Sequence, residues 1–197
     1  TGKSSLLNRR MHYMNNYTIW SVIMIFFFFA FIGWAYEVGI HLVKDGMFVN
    51  RGAMHGPWLP IYGGGVALIV LVLKRLRKNV LTEILGIIIL CGFVEYFTSF
   101  FMELATGLRW WDYTGYFLNL NGRICAEGLL VFALGGTLAV YLIVPAFDAM
   151  LTRLNIKVLI PLSLGLLILF VSDMVYSHYV PNTGEGITDY TAYQEES

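Results

Sequence analysis

Apolar residues run along this chain in five blocks, roughly 18–43, 58–73, 80–105, 125–147 and 158–180, with polar residues gathered between them. A helix needs about 20 apolar residues to cross ~30 Å of hydrocarbon. Four blocks reach that length, and 58–73 is short. The pattern predicts an all-α fold, a polytopic transmembrane helical bundle of about five spans. Polar positions inside the blocks are ordered too. Glu37 lies near the end of the first block, with His41 one turn later. Glu95, Ser99 and Glu103 recur at i, i+4 and i+8 in the third. Each four-residue step rotates about 40°, so these three share a drifting stripe. Glu127 opens the fourth block, and Asp173, Tyr176 and His178 end the fifth. An ionisable residue within a span is costly, so it faces a packed interior or a watery cavity.

Between the blocks, two segments read as structured outer loops. The first, 49–65, contains Arg51, His55, Pro57 and Pro60 and ends in Gly63-Gly64-Gly65. Proline suits the first turn of a helix, where its missing N–H matters least. Such a segment dips into a membrane only where protein or water satisfies its backbone, and the short second block makes a dip reasonable. The second loop, 110–125, is aromatic. Trp110 and Tyr116 suit an interfacial belt, whereas Asp112 between Trp111 and Tyr113 suits a lid.

Composition narrows the class. The 197 residues are 57% hydrophobic and 13% charged, too apolar for a soluble domain of this length. Net charge is zero, so nucleic acid is not an expected partner. Cys91 and Cys125 have no metal-ligand spacing and read as packing residues. The first block is too long for a signal-peptide core. Lys and Arg set the orientation. With the amino terminus inside, nine of the thirteen (Lys3, Arg9, Arg10, Lys74, Arg75, Arg77, Lys78, Arg153, Lys157) fall in inner segments and four (Lys44, Arg51, Arg109, Arg123) in outer ones. Five spans then leave the carboxy terminus outside. The expected organisation is a cytoplasmic segment 1–17, a transmembrane domain 18–180 and a polar extracytoplasmic tail 181–197. Met11 stands as a candidate start, which makes residues 1–10 a tag remnant or upstream sequence. Without them the inner count is six against four. Gly2-Lys3-Ser4 resembles the end of a phosphate-binding loop, but its first glycine and preceding strand are missing.

In this orientation the acids concentrate towards the outer face. The candidate substrate-binding residues are Glu37, Arg51, His55, Glu95, Ser99, Glu103, Asp112 and Arg123. Each has a plainer alternative: an acid near a helix end reaches the headgroups, and a buried one pairs with an outer-loop arginine. Glu95 is deepest and hardest to assign to the interface. Glu83, in the first turn of its helix, reads as a charge matched to the macrodipole. The expectation is that Glu95 and Glu103 line one polar cavity with Arg51 or Arg123. No ligand spacing is diagnostic of metal, and the residues name no cofactor.

These motifs carry a family resemblance. Gly33-Trp34 with Glu37, Asn50-Arg51-Gly52, Gly56-Pro57 and Pro60-Ile61-Tyr62-Gly63 occur in order. Glu95-Tyr96, Thr98-Ser99, Glu103 and Trp110-Trp111-Asp112-Tyr113 follow, then Asn119, Asn121-Gly122-Arg123 and Cys125. Over roughly residues 20–140 the chain resembles the bacterial proteins described as Putative ABC-transporter type IV, or ABC-transporter permeases. Thr114 stands where the family often has Ser. The tail from Pro181 to Gly186 is similar to clostridial members. The resemblance implies a small multi-pass protein of the bacterial cytoplasmic membrane, from a Gram-positive source.

The resulting expectation is a permease-like membrane protein that binds or moves a small polar or cationic solute through an outward-facing acidic and arginine site. The alternatives are an integral-membrane enzyme using carboxylate acid–base chemistry on a lipid or glycan headgroup, and a structural accessory subunit. Membrane lipid, a separate ATPase chain and a second copy in a homo-oligomer are the expected partners. These residues show neither an ATP-binding motif nor the repeated halves common in transporters.

Overall fold

A computed structural model describes residues 17–107, 109, 111–180 and 182. The expectations for segment 1–16, for Trp110 and for most of the tail lie outside the described residues. The fold is all-α. Helix α1 is Ile19–Asp45, α2 is Pro60–Val72, and α3 is Val80–Thr106, preceded by a 3₁₀ helix Leu73–Lys78. Helix α4, Ala126–Leu138, continues through one π turn, Ala139–Ile143, into α5, Val144–Leu151; α6 is Ile156–Tyr179. Four runs are long and apolar enough to cross a membrane: Ile19–Lys44, Val80–Ala105, Ala126–Leu151 and Ile156–Tyr179. The expected second span keeps only the 13 α-helical residues of α2, then tightens into the basic 3₁₀ turn.

Local chemistry sets the ends. Thr18 Oγ1 accepts the Ser21 N–H at the start of α1, and Gly46, at φ 66°, ends it in the left-handed conformation open to glycine. Asn79 caps α3 by accepting the Leu81 and Thr82 N–H groups. Cys125 Sγ does the same at the start of α4, accepting the Gly128 N–H at 3.4 Å. Large apolar side chains point outward: Ile89 is 71% exposed and Leu134 74%. Such rows are covered by lipid rather than water.

The chain divides into two compact units, Thr1–Gly64 with Ala146–Ser197, and Gly65–Pro145. In the first, Phe26, Phe27, Trp58 and Phe170 meet edge-on, and Phe28 stacks on Phe147 at 4.3 Å. The start of α2 lies against the middle of α1. The Leu59 N–H donates to the Ala30 carbonyl at 2.9 Å, and Tyr62 covers Gly33. Gly63 abuts the Phe26 carbonyl with no room for a Cβ. In the second unit, Ile69, Leu73, Ile87, Cys91 and Val140 form the buried apolar cluster.

Candidate functional site

The eight residues singled out in the sequence fall into two groups, one in each unit. Glu37, Arg51 and His55 belong to the first. Glu37 Oε2 meets Arg51 Nε at 3.1 Å, and Glu37 Oε1 accepts from Tyr62 Oη at 2.8 Å. The neighbouring segment is clamped by Asp173 from α6. Its Oδ2 accepts from Gly56 N–H at 2.9 Å and Trp58 Nε1 at 2.7 Å, and its Oδ1 from His55 N–H and the Ser177 hydroxyl, both at 3.2 Å. His55 Nδ1 lies 3.0 Å from Ser177 Oγ. Asn182 Nδ2 faces the carbonyls of Asn50, Gly52 and Met54, and Trp34 Nε1 donates to Asn50 Oδ1. An irregular segment beside the middle of α1 needs these partners, because lipid offers none. Asp173 and His55 here hold backbone in place.

The second group is built on α3 and the loop that follows it. Glu95 and Ser99 are 5% and 2% exposed. Glu95 Oε1 accepts from Tyr113 Oη at 3.0 Å. Glu95 Oε2 is buried with no hydrogen-bond partner. Arg123 then spans the next two turns. Its Nη1 donates to Ser99 Oγ at 3.0 Å and its Nη2 to Glu103 Oε2 at 2.6 Å, while its guanidinium lies 5.4 Å from the Phe100 ring centre. Arg123 is thus the arginine of this stripe, and Arg51 pairs with Glu37 instead. Along the stripe, Ser99 and the Arg123 guanidinium come between Glu95 and Glu103, and each acid has its own partner, Tyr113 for Glu95 and Arg123 for Glu103.

The loop is ordered by its own polar groups. Arg109 Nε reaches Glu103 at 3.4 Å, and Arg109 Nη1 lies 3.5 Å from Asp112 Oδ2. Asp112 Oδ1 accepts from the Thr114 hydroxyl at 2.6 Å and from the Thr114 N–H at 2.8 Å. The Thr114 hydroxyl first, then its N–H and the Arg109 charge, hold the Asp112 carboxyl below its ordinary value of 3.8, against a smaller opposing effect of burial. Gly122, at φ 66°, passes so close to Asp112 Oδ1 that a side chain would collide. Trp111 Nε1 donates to the Arg123 carbonyl, and Asn121 Nδ2 to Tyr96 Oη. Glu127 opens α4 and accepts the Phe117 N–H at 3.3 Å.

Several residues of these networks escaped the sequence reading. Tyr62 and Tyr113 stand in the family motifs but are not among the candidate site residues, and Asn182 carries no signal beyond polarity. Glu83 reads from the sequence as a charge matched to the helix macrodipole, and it does lie in the first turn of α3. It is also fully buried, 3.6 Å from Arg77 Nε, with Tyr141 Oη at 2.9 Å. Among the described residues no three His, Cys, Asp or Glu side chains converge in a way that could hold a metal ion.

A family model described as Putative ABC-transporter type IV matches residues 24–178. No curated protein and no solved structure matches the chain.

Proposed function

The chain belongs to the Putative ABC-transporter type IV family and is a transporter-like membrane protein; on that premise we propose that it binds or moves a small cation or polar solute at Glu95. One observation carries this reading: Glu95 Oε2 is buried and has no partner, while Tyr113 holds the other oxygen. A buried carboxylate oxygen left without a donor is costly unless something binds it. The stripe supplies the rest of the site. Ser99 offers a hydroxyl one turn above, and Arg123 with Glu103 forms a charged latch joining α3 to the Trp111–Cys125 loop. Asp112 and Arg109 stiffen that loop. Glu37, Arg51 and His55 act in this reading as supports of the segment before α2.

Binding is favoured over paired-carboxylate catalysis, because Glu103 is already neutralised by Arg123 and Arg109 and shares no reacting position with Glu95. The family supports a partnership with an ATPase on a separate chain.

The test is a melting-temperature screen of purified protein with sodium, potassium, ammonium, choline and glycine. At least one should raise the melting temperature of wild type and of Glu37→Gln, but not of Glu95→Gln. If every stabilising solute acts equally on Glu95→Gln, Glu95 is not the binding group.

A further inference from the structure

We propose that the Gly65–Pro145 unit also passes protons, with Glu95 as the outer station, Glu83 as the inner one and an apolar layer between them as the gate. The proposal deepens the Glu95 site argued above and rests on it for the outer station only.

Both acids sit on α3, twelve residues and about 18 Å apart along its axis. The buried positions step by four: Glu83, Ile87, Cys91, Glu95 and Ser99 are all 9% exposed or less. The stripe winds about 120° around the helix between the two acids, at ~100° per residue. Each carboxylate keeps one oxygen without a hydrogen bond, Oε2 on Glu95 and Oε1 on Glu83. Each also has a phenol on its other oxygen, Tyr113 at 3.0 Å and Tyr141 at 2.9 Å. Tyr141 Oη shares its single proton between Glu83 and the Arg77 carbonyl, 3.1 Å away. The groups facing Glu95 are Tyr113 and, a turn away, Cys91; those facing Glu83 are Arg77 and Tyr141.

Between the stations lies the cluster of Ile69, Leu73, Ile87, Cys91 and Val140. No proton crosses such a layer while it is dry. Apolar constrictions gate by wetting and dewetting, so transient water is the link. A proton from the outer water adds to Glu95 Oε2 and moves along that water to Glu83. It releases Glu83 from Arg77 for as long as it stays there, then leaves to the inner water. No oxidant or nucleotide takes part, and the direction follows the gradient.

The test uses the full chain in liposomes containing a pH-sensitive dye, with a potassium diffusion potential and no nucleotide. Ile87→Ser should raise proton flux severalfold over wild type by wetting the layer. Val140→Thr nearly preserves shape and should do the same to a smaller degree if Ile87→Ser does not fold. Adding Glu95→Gln or Tyr141→Phe should return flux towards that of empty liposomes. The proposal is overturned if the folded gate variants stay at the empty-liposome level, or if their leak persists with Glu95→Gln and Tyr141→Phe combined. Solute-dependent melting shifts that survive such a result would leave the Glu95 binding site standing and remove only the proton path.

Discussion

Asp112 is held ionised by groups within three residues of itself, Thr114 on one side and Arg109 on the other. Its depressed pKa ties loop stability to pH. The contribution is fully present above the ordinary carboxylate value of 3.8 and is lost as pH falls through the lower folded value. Asp112→Asn should therefore melt below wild type at neutral pH, and the gap should close in acid. A gap of equal size at neutral and acid pH would mean that the carboxylate charge does not anchor the loop. Local pairs of this kind are legible in a sequence, and so is the four-residue ladder Glu95–Ser99–Glu103. What the ladder touches is not. Tyr113 reaches Glu95 across 18 residues and Arg123 reaches Ser99 across 24, and composition carries no such distances. The choice between Arg51 and Arg123 stayed open for the same reason. Asp173 was visible as an acid in a span, yet its partners His55 and Gly56 lie more than a hundred residues away.

At the scale of elements, the contact of α2 with α1 depends on a missing side chain. A Cβ on Gly63 would overlap the Phe26 carbonyl, whereas one on Gly64 would meet nothing within 4 Å. Small residues let helix backbones approach in lipid. Gly63→Ala should cost about 1–3 kcal/mol, because backbone must move. Gly64→Ala should be neutral or gain up to about 1 kcal/mol of helix propensity. Melting of the two variants side by side checks this, and equal effects would mean that the close approach does not stabilise the unit. The helices themselves were legible because each is a long apolar run between polar caps. The π turn at Ala139–Ile143 was not, since its residues would serve equally well in a regular helix. The run Gly63-Gly64-Gly65 is visible in the sequence, but only the fold distinguishes Gly63 from Gly64.

At the scale of the whole molecule, the decisive question is whether α2 completes a crossing. Its 13 residues span about 20 Å, too little for the full hydrocarbon. It begins beside the middle of α1, however, where Leu59 bonds Ala30. From there, 20 Å is enough to reach the far face. The segment before it, clamped by Asp173 and Asn182, covers the other half without regular structure, as protein-lined backbone can. We therefore expect five crossings, the four long helices and a composite second one. On that expectation the Lys74–Lys78 cluster lies on the side favoured for positive charge, with the amino terminus inside and the carboxy terminus outside. Were α2 to turn back, only the four long helices would cross. With α3 still crossing between them, Asn79 would then lie outside and Asn119 inside, the reverse of the five-crossing arrangement. The measurement places single cysteines at these two positions in a background lacking Cys91 and Cys125. A membrane-impermeant maleimide added to intact cells should label the cysteine at 119 and spare the one at 79 until the membrane is opened. A carboxy-terminal reporter active only in the cytoplasm should stay silent. Labelling of the cysteine at 79 from outside with the one at 119 spared, or a bright cytoplasmic reporter, would replace the composite crossing with a segment that enters and leaves by the same face. Glu83 and Glu95 would then need a new assignment of inner and outer, because the Asn79 cap that starts α3 fixes which end of that helix each acid is near.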